Sequence, residues 1–491
     1  MTSLNTSISP ERIEHEDLVL FINACFACNG QKEFYGSARG QEVSIGFLHQ
    51  YILGNYRRLY ARTLAAGINQ FNQGLIAVHL LESGAEATPT QRQEEGRLIE
   101  ATLQRMPPQR VYRLFRELRQ RRVNNRRTRA VIRTWLKGRN LELDAVKYRN
   151  LLRSAVTHAH LKLSSEVGRF LYRGRRSHGR YQTPLFEAWR QAFYDPAAVF
   201  ELPFSVAQGF AARHGIDPQT LMEQMQDKMT AGEKRRMMRA AQTHGVDLEV
   251  ELGRMGLTRL ALMVLAMPED ERLKRRDELN TAMRDAARRQ LSRTPMRLGR
   301  VAVILDRSYS SSGSRAKRNR PLAIALALST LFQEAADTCT VLWTPSLANP
   351  LRLTAHGATD LATPLIDALM AEPELVVLVS DGYENCPMGG AAEVVRVWRS
   401  QLDPEHRVAF VHLNPAFDAD NIAPRSLGPG IATVGVRGAE DAPTMLNFSR
   451  FAVGEASLDE LEDYLESCVH ELLHRHLPRP TALAVAHHDA A

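Results

Sequence analysis

Asp306-Arg307-Ser308-Tyr309-Ser310 follows directly on the apolar run Val301 to Leu305. One carboxylate and two hydroxyls therefore recur at alternate positions where a buried strand ends, a set that suits a hard cation. Gly357-Ala358-Thr359-Asp360 stands just before a helical stretch, and Ser380-Asp381-Gly382 closes another strand-like run.

Two other motifs hold side chains that bind metals elsewhere. His470-Glu471-Leu472-Leu473-His474 matches H-E-x-x-H, which on a helix can hold zinc beside a glutamate base. It ends the last helical stretch, with Pro478 and Pro480 close behind, so no later helix is left for a third ligand. Helix-end histidines are also favoured by the helix dipole alone. Cys25 and Cys28 form a C-x-x-C pair with only His15 and His49 nearby, which points to the buried face of one helix rather than to zinc. The sequence has no Gly-Lys dipeptide, hence no P-loop, and no G-x-S-x-G element. A binding protein rather than an enzyme is the expectation.

The formal charge of +8 is unevenly placed. Between Arg105 and Arg180 there are 22 Lys and Arg against 4 Asp and Glu, which leaves 41 basic and 51 acidic residues for all the rest. Mixed signs are the norm on a solvated helix face, so a segment holding all the excess positive charge calls for a counter-charge such as phosphate. Most of these cations are arginines, whose planar guanidinium grips phosphate bidentately and stacks on bases. A second, smaller group is Arg315, Lys317, Arg318 and Arg320 beside the Asp306 loop. It either widens an anion surface or, as we expect, balances acidic helices nearby.

Positioning elements fall into two regimes. From about Glu14 to Gln290, apolar residues recur at helical spacing, as in Val111-x-x-Leu114-Phe115-x-x-Leu118, with breakers at Met106-Pro107-Pro108, Gly138-Arg139-Asn140, Gly174 and Gly215 to Pro218. Helix pairs of this kind stack into a solenoid or closed ring. After Met296 come four short apolar, β-branched runs: Val301–Leu305, Thr340–Trp343, Leu375–Val379 and Val408–Leu413. Helical stretches at Pro321–Gln333, Leu361–Met370, Ala391–Gln401 and Leu458–His474 alternate with them. That alternation predicts a doubly wound α/β sheet with ligands at the carboxyl ends of its strands.

The Asp306 loop with Thr359 and Asp381 resembles the metal-ion-dependent adhesion site of von Willebrand A domains, D-x-S-x-S with a distant Thr and Asp. The resemblance implies Asp306, Ser308, Ser310, Thr359 and Asp381 as ligands and Mg2+ as the occupant, with a position left for water or a partner's carboxylate. Tyr309 stands where glycine is usual, which narrows access. In the helical part, Arg126-Arg127-Thr128-Arg129 through Arg133, then Lys147-Tyr148-Arg149, Leu151-Leu152-Arg153 and His160-Leu161-Lys162, resemble the TROVE module of the Ro ribonucleoprotein autoantigen family. Phe21-Ile22-Asn23 through Gly30 to Tyr35 is similar to that family's opening helix and glycine-aromatic turn. Leu163 departs from the pattern, where proline is usual.

This resemblance implies a HEAT-like ring that binds small structured or misfolded non-coding RNA, with single-stranded 3' ends entering the hole and the metal-bearing von Willebrand A domain completing the ring or docking a partner. It places Lys147, Arg149 and His160 on the RNA surface. Charge and position add Arg126, Arg127, Arg129, Arg133, Arg153 and Lys162. The expected division is a helical-repeat domain over 1–295, a von Willebrand A-like domain over 296–476 and a disordered tail over 477–491. At 491 residues, with 44% hydrophobic and 24% charged residues, the chain is long enough for two cores and is of globular composition. No apolar stretch is long enough for a bilayer and no basic-then-apolar leader opens the chain, so a cytoplasmic monomer is expected. The competing reading is an adaptor whose metal recruits an acidic residue of a partner such as a chaperone-like ATPase, without an RNA role.

Overall fold

A computed structural model describes residues 9–248 and 252–474 of the chain. The helical region opens with α1 (Pro10–Ala27), α2 (Ala38–Asn55), α3 (Arg57–Arg62), α4 (Gln70–Glu82), α5 (Pro89–Arg105) and α6 (Pro108–Gln120). It continues through α7 (Arg126–Lys137), α8 (Leu141–Lys147), α9 (Arg149–His158), α10 (Ser165–Arg173) and α11 (Pro184–Gln191). The last of it is α12 (Phe204–His214), α13 (Pro218–Met225), α14 (Ala231–Thr243), α15 (Leu257–Ala266), α16 (Glu269–Lys274) and α17 (Arg276–Arg293). Breakers act as their chemistry demands. Thr88 and Gln91 form a capping box with Pro89 at the head of α5, Asn125 Oδ1 accepts the Thr128 amide at 2.8 Å to start α7, and Gly215 ends α12 in the left-handed region.

Then come β1 (Leu298–Asp306), α18 (Arg320–Ala335), β2 (Ala336–Thr344), α19 (Ala362–Leu369), β3 (Leu375–Val379), α20 (Gly390–Gln401), β4 (Ala409–Asn414), β5 (Ala432–Gly435), α21 (Ala442–Ala452) and α22 (Leu458–His474). All strands pair in parallel in the order β2-β1-β3-β4-β5, and Val303 is in register with both Val341 and Val377. Sequential order reverses between β1 and β3, and such a switch opens a crevice outside the strands' carboxyl ends. Asp306 ends β1, and Asp381 stands two residues past the end of β3. The fifth strand was not among the four expected from sequence. At four residues, two of them Ala and Gly, it carries too little pattern to stand out.

Both ends of the helical run rest on the α/β part. α15 and α17 pack on α18, while α1 packs on β5, α21 and α22, and α5 on α22. Polar ties fix the seam: Asn23 Nδ2 donates to Thr433 O at 3.3 Å, and the Gly435 amide donates to Asn23 Oδ1 at 3.1 Å. Lys317 pairs with Glu33, both nearly fully buried. Among the described residues no helix is long and apolar enough to cross a membrane.

Candidate nucleic-acid interface and metal centre

Apolar positions 111, 112, 114, 115 and 118 bury one side of α6 and leave Arg110, Arg113, Arg116 and Arg119 in solvent. On α7, Thr128, Ile132, Trp135 and Leu136 face the core, so Arg126, Arg129, Arg133 and Lys137 share the opposite stripe. That helix has no acidic residue in its first turn, where its dipole opposes the arginines; a bound anion would offset the cost.

The helices then join these stripes. α6 packs on α9, and Arg119 Nη1 donates to Ser154 Oγ at 3.2 Å, next to exposed Arg153. Past the end of α9, His160 takes a left-handed φ of 54°, while the Leu161 amide returns to Val156 O at 3.0 Å. The exposed imidazole thereby lies 3.3 Å from Asn124 Nδ2, two residues before Arg126. Lys162 is exposed just beyond. Arg119, Arg126, Arg153 and His160 thus border one surface built by three helices.

Three of the nine residues expected to touch RNA sit elsewhere. Arg127 Nη1 donates to Glu95 Oε2 at 2.8 Å and to Leu80 O at 3.3 Å, and the same buried carboxylate takes Arg57 at 2.8 Å. Arg149 donates to Phe170 O and Leu171 O at 3.0 and 2.9 Å from Nη2, beneath the Phe170 and Trp189 rings; burial lowers its pKa. Lys147 lies 3.8 Å from Glu233 of α14. These three side chains tie α7 to α4 and α5, α9 to α10, and α8 to α14. Arg119 was not singled out from sequence, although the three-residue arginine spacing of α6 against its apolar row is the signal that finds it.

At the strand ends, Asp306, Ser308, Ser310, Thr359 and Asp381 are all buried. The Ser308 amide donates to Asp306 Oδ1 at 2.7 Å, and the two serine hydroxyls lie 3.3 Å apart. Three loops are knit around them: the Tyr309 amide donates to Gly357 O at 3.1 Å, and the Thr359 amide to Asn385 Oδ1 at 3.0 Å. Gly382 holds φ at 80°, and a Cβ there would meet Arg425 O at 2.6 Å, so glycine is required directly after Asp381.

Asp306 Oδ2 is buried with no hydrogen-bond partner among the described residues, a costly arrangement that a cation would relieve. Burial, then Asp381, pushes the Asp306 carboxyl up to about 7, and burial raises that of Asp381. The donors are oxygens only, and a hard divalent ion such as Mg2+ fits them. Tyr309 is exposed and meets Phe34 edge-on at 5.7 Å, while the ring centres of Tyr35 and Tyr383 lie 4.2 Å apart. An aromatic rim brought from the N-terminal segment therefore borders the loop, a feature that no sequence signal could reveal across so wide a separation.

Cys25 and Cys28 are fully buried at the end of α1, and burial pushes the Cys28 thiol up to about 12. The His470 and His474 rings stack at 4.0 Å in the last turn of α22; among the described residues no group of three or more His, Cys, Asp or Glu is arranged to hold a metal. His476, His487, His488 and the expected tail lie outside the described residues. Of the second basic group, Lys317 pairs with Glu33, which lies between α1 and α2 rather than on an acidic helix, and Arg315 and Arg318 are exposed.

No family model and no curated protein matches the chain. Among solved structures it is similar to the crystal structure of the Deinococcus radiodurans RO (RSR) protein, at 13% identity and a TM-score of 0.48, over 83% of this chain and 93% of that one.

Proposed function

We propose that the chain is an RNA-binding scaffold of the Ro type, which holds structured or misfolded non-coding RNA on the basic surface of α6, α7 and α9. The observation that carries this reading is the convergence of Arg119, Arg126, Arg153 and His160 on one surface, with the Arg129, Arg133 and Lys137 stripe leading from it. Cations there supply the sequence-independent attraction to phosphate, and the imidazole can stack on an unpaired base. Arg127 and Arg149 serve this surface by fixing α7 and α9 to their neighbours.

The test is a gel shift with a structured RNA over a range of salt. Affinity should fall steeply, and Arg126→Gln, Arg133→Gln and Arg153→Gln together should weaken binding and flatten the slope by roughly 0.7–0.9 for each phosphate that is no longer neutralised. Affinity that does not change with salt, or an unaffected triple variant, would refute the assignment.

In the same reading, Asp306, Ser308, Ser310, Thr359 and Asp381 of a von Willebrand A-like domain hold Mg2+. The ion supplies a coordination position for water or for a partner's carboxylate. Asp306→Ala should abolish Mg2+ binding in calorimetry and leave RNA affinity intact. If RNA binding fails with the ion, the two surfaces are one.

A further inference from the structure

Three large apolar side chains of α2 lie in solvent. Val43, Phe47 and Tyr51 recur every four residues, so they stand in one row, 66, 60 and 37% exposed, and the last two rings stack at 6.3 Å. Isolated exposed apolar residues are ordinary, but a row about 12 Å long at roughly 1.5 Å per residue marks an interaction surface. The helix does not lack a core face: Ile45, Leu48 and Ile52 are buried on its other side. It therefore carries two apolar faces, and the described fold uses one.

Carboxylates border both ends of the row. At its C-terminal end, Asp17 Oδ2 accepts the Tyr51 and Tyr56 hydroxyls at 2.8 and 2.9 Å, and Glu14 lies one turn earlier on α1. At its N-terminal end, Ser44 Oγ donates to Ala419 O at 2.7 Å, which places exposed Asp420 alongside. Glu42 is exposed beside Val43; Arg39, one turn ahead, and Arg58, past the end of α2, are exposed cations in the same stretch.

We propose that this row docks a basic amphipathic helix of a partner protein, with apolar side chains at three- and four-residue spacing on Val43, Phe47 and Tyr51. Its Lys or Arg residues would reach Asp17 and Glu14 at one end and Asp420 at the other. The charge selects this occupant. An RNA backbone or an anionic membrane meets repulsion at both borders, and a two-fold pairing with a second copy sets acidic ends against each other. The inference does not depend on the RNA reading.

Two 18-residue helical peptides with the same leucine face, one with lysine and one with glutamate on the polar face, test it against the full chain by fluorescence anisotropy. The lysine peptide should bind, more weakly as salt rises, and the glutamate peptide should not. Val43→Ser with Phe47→Ser should lower affinity about tenfold or more with the melting temperature unchanged, since both side chains are exposed. Arg126→Gln, on the basic surface, should leave peptide binding untouched. Equal binding of both peptides, indifference to the double variant, or a row-dependent dimer in sedimentation would overturn the proposal.

Discussion

Arg126 and Arg127 are adjacent in sequence and opposite in role. One is exposed at the head of α7; the other reaches a carboxylate 32 residues away whose side chain is only 2% exposed. Arg127→Ala should therefore cost roughly 1–3 kcal/mol in urea unfolding, because Glu95 loses a charged donor but keeps Arg57. Arg126→Ala should change stability by less than about 0.5 kcal/mol and act on RNA affinity instead. The Arg-rich segment was legible as a segment, but which guanidinium is spent inside depended on Glu95, a partner that local pattern does not identify. Lys317 teaches the same lesson. Lys317→Met strands the buried Glu33 carboxyl and should cost about 3–5 kcal/mol, measurable as a shifted denaturation midpoint.

Elements were easier to read than partners. Long amphipathic stretches and β-branched runs fell where period and breakers put them, because burial on one face imposes that spacing. What escaped was the polar chain inside the first helices: His49 Nδ1 lies 2.9 Å from the Tyr60 hydroxyl, His49 Nε2 3.1 Å from Asn72 Oδ1, and the same hydroxyl 2.9 Å from His79 Nδ1. Burial drives His49 down to about 3 and His79 to about 4, and in the sheet His412, beside Ser380, to about 4. All three stay neutral in the fold, whereas in the unfolded chain they take up protons below about pH 6.5. The unfolded state then binds more protons, so stability is fully present above about pH 6.5 and falls as pH drops from there toward 4. Urea midpoints taken across that window should decline toward acid; a flat profile would show that these imidazoles are not held neutral.

At the scale of the molecule, charge is segregated. The exposed Arg and Lys of α6, α7 and α9 belong to the basic stretch between 105 and 180, while acidic residues outnumber basic ones in the rest of the sequence. The family resemblance raised the α/β domain as the part that completes the ring, but local pattern did not identify the pairs that build the seam, such as Asn23 and Thr433, 410 residues apart. That separation also governs synthesis. α1 leaves the ribosome about 20 to 80 seconds before β5 exists, at roughly 5–20 residues per second. During that interval the nascent helix has nothing to cover its β5 side and must be shielded by other means. Nascent chains arrested short of Ala432 should be cut by protease within α1, and chains released at full length should resist. A premature stop just ahead of β5 therefore damages the beginning of the protein as much as its end.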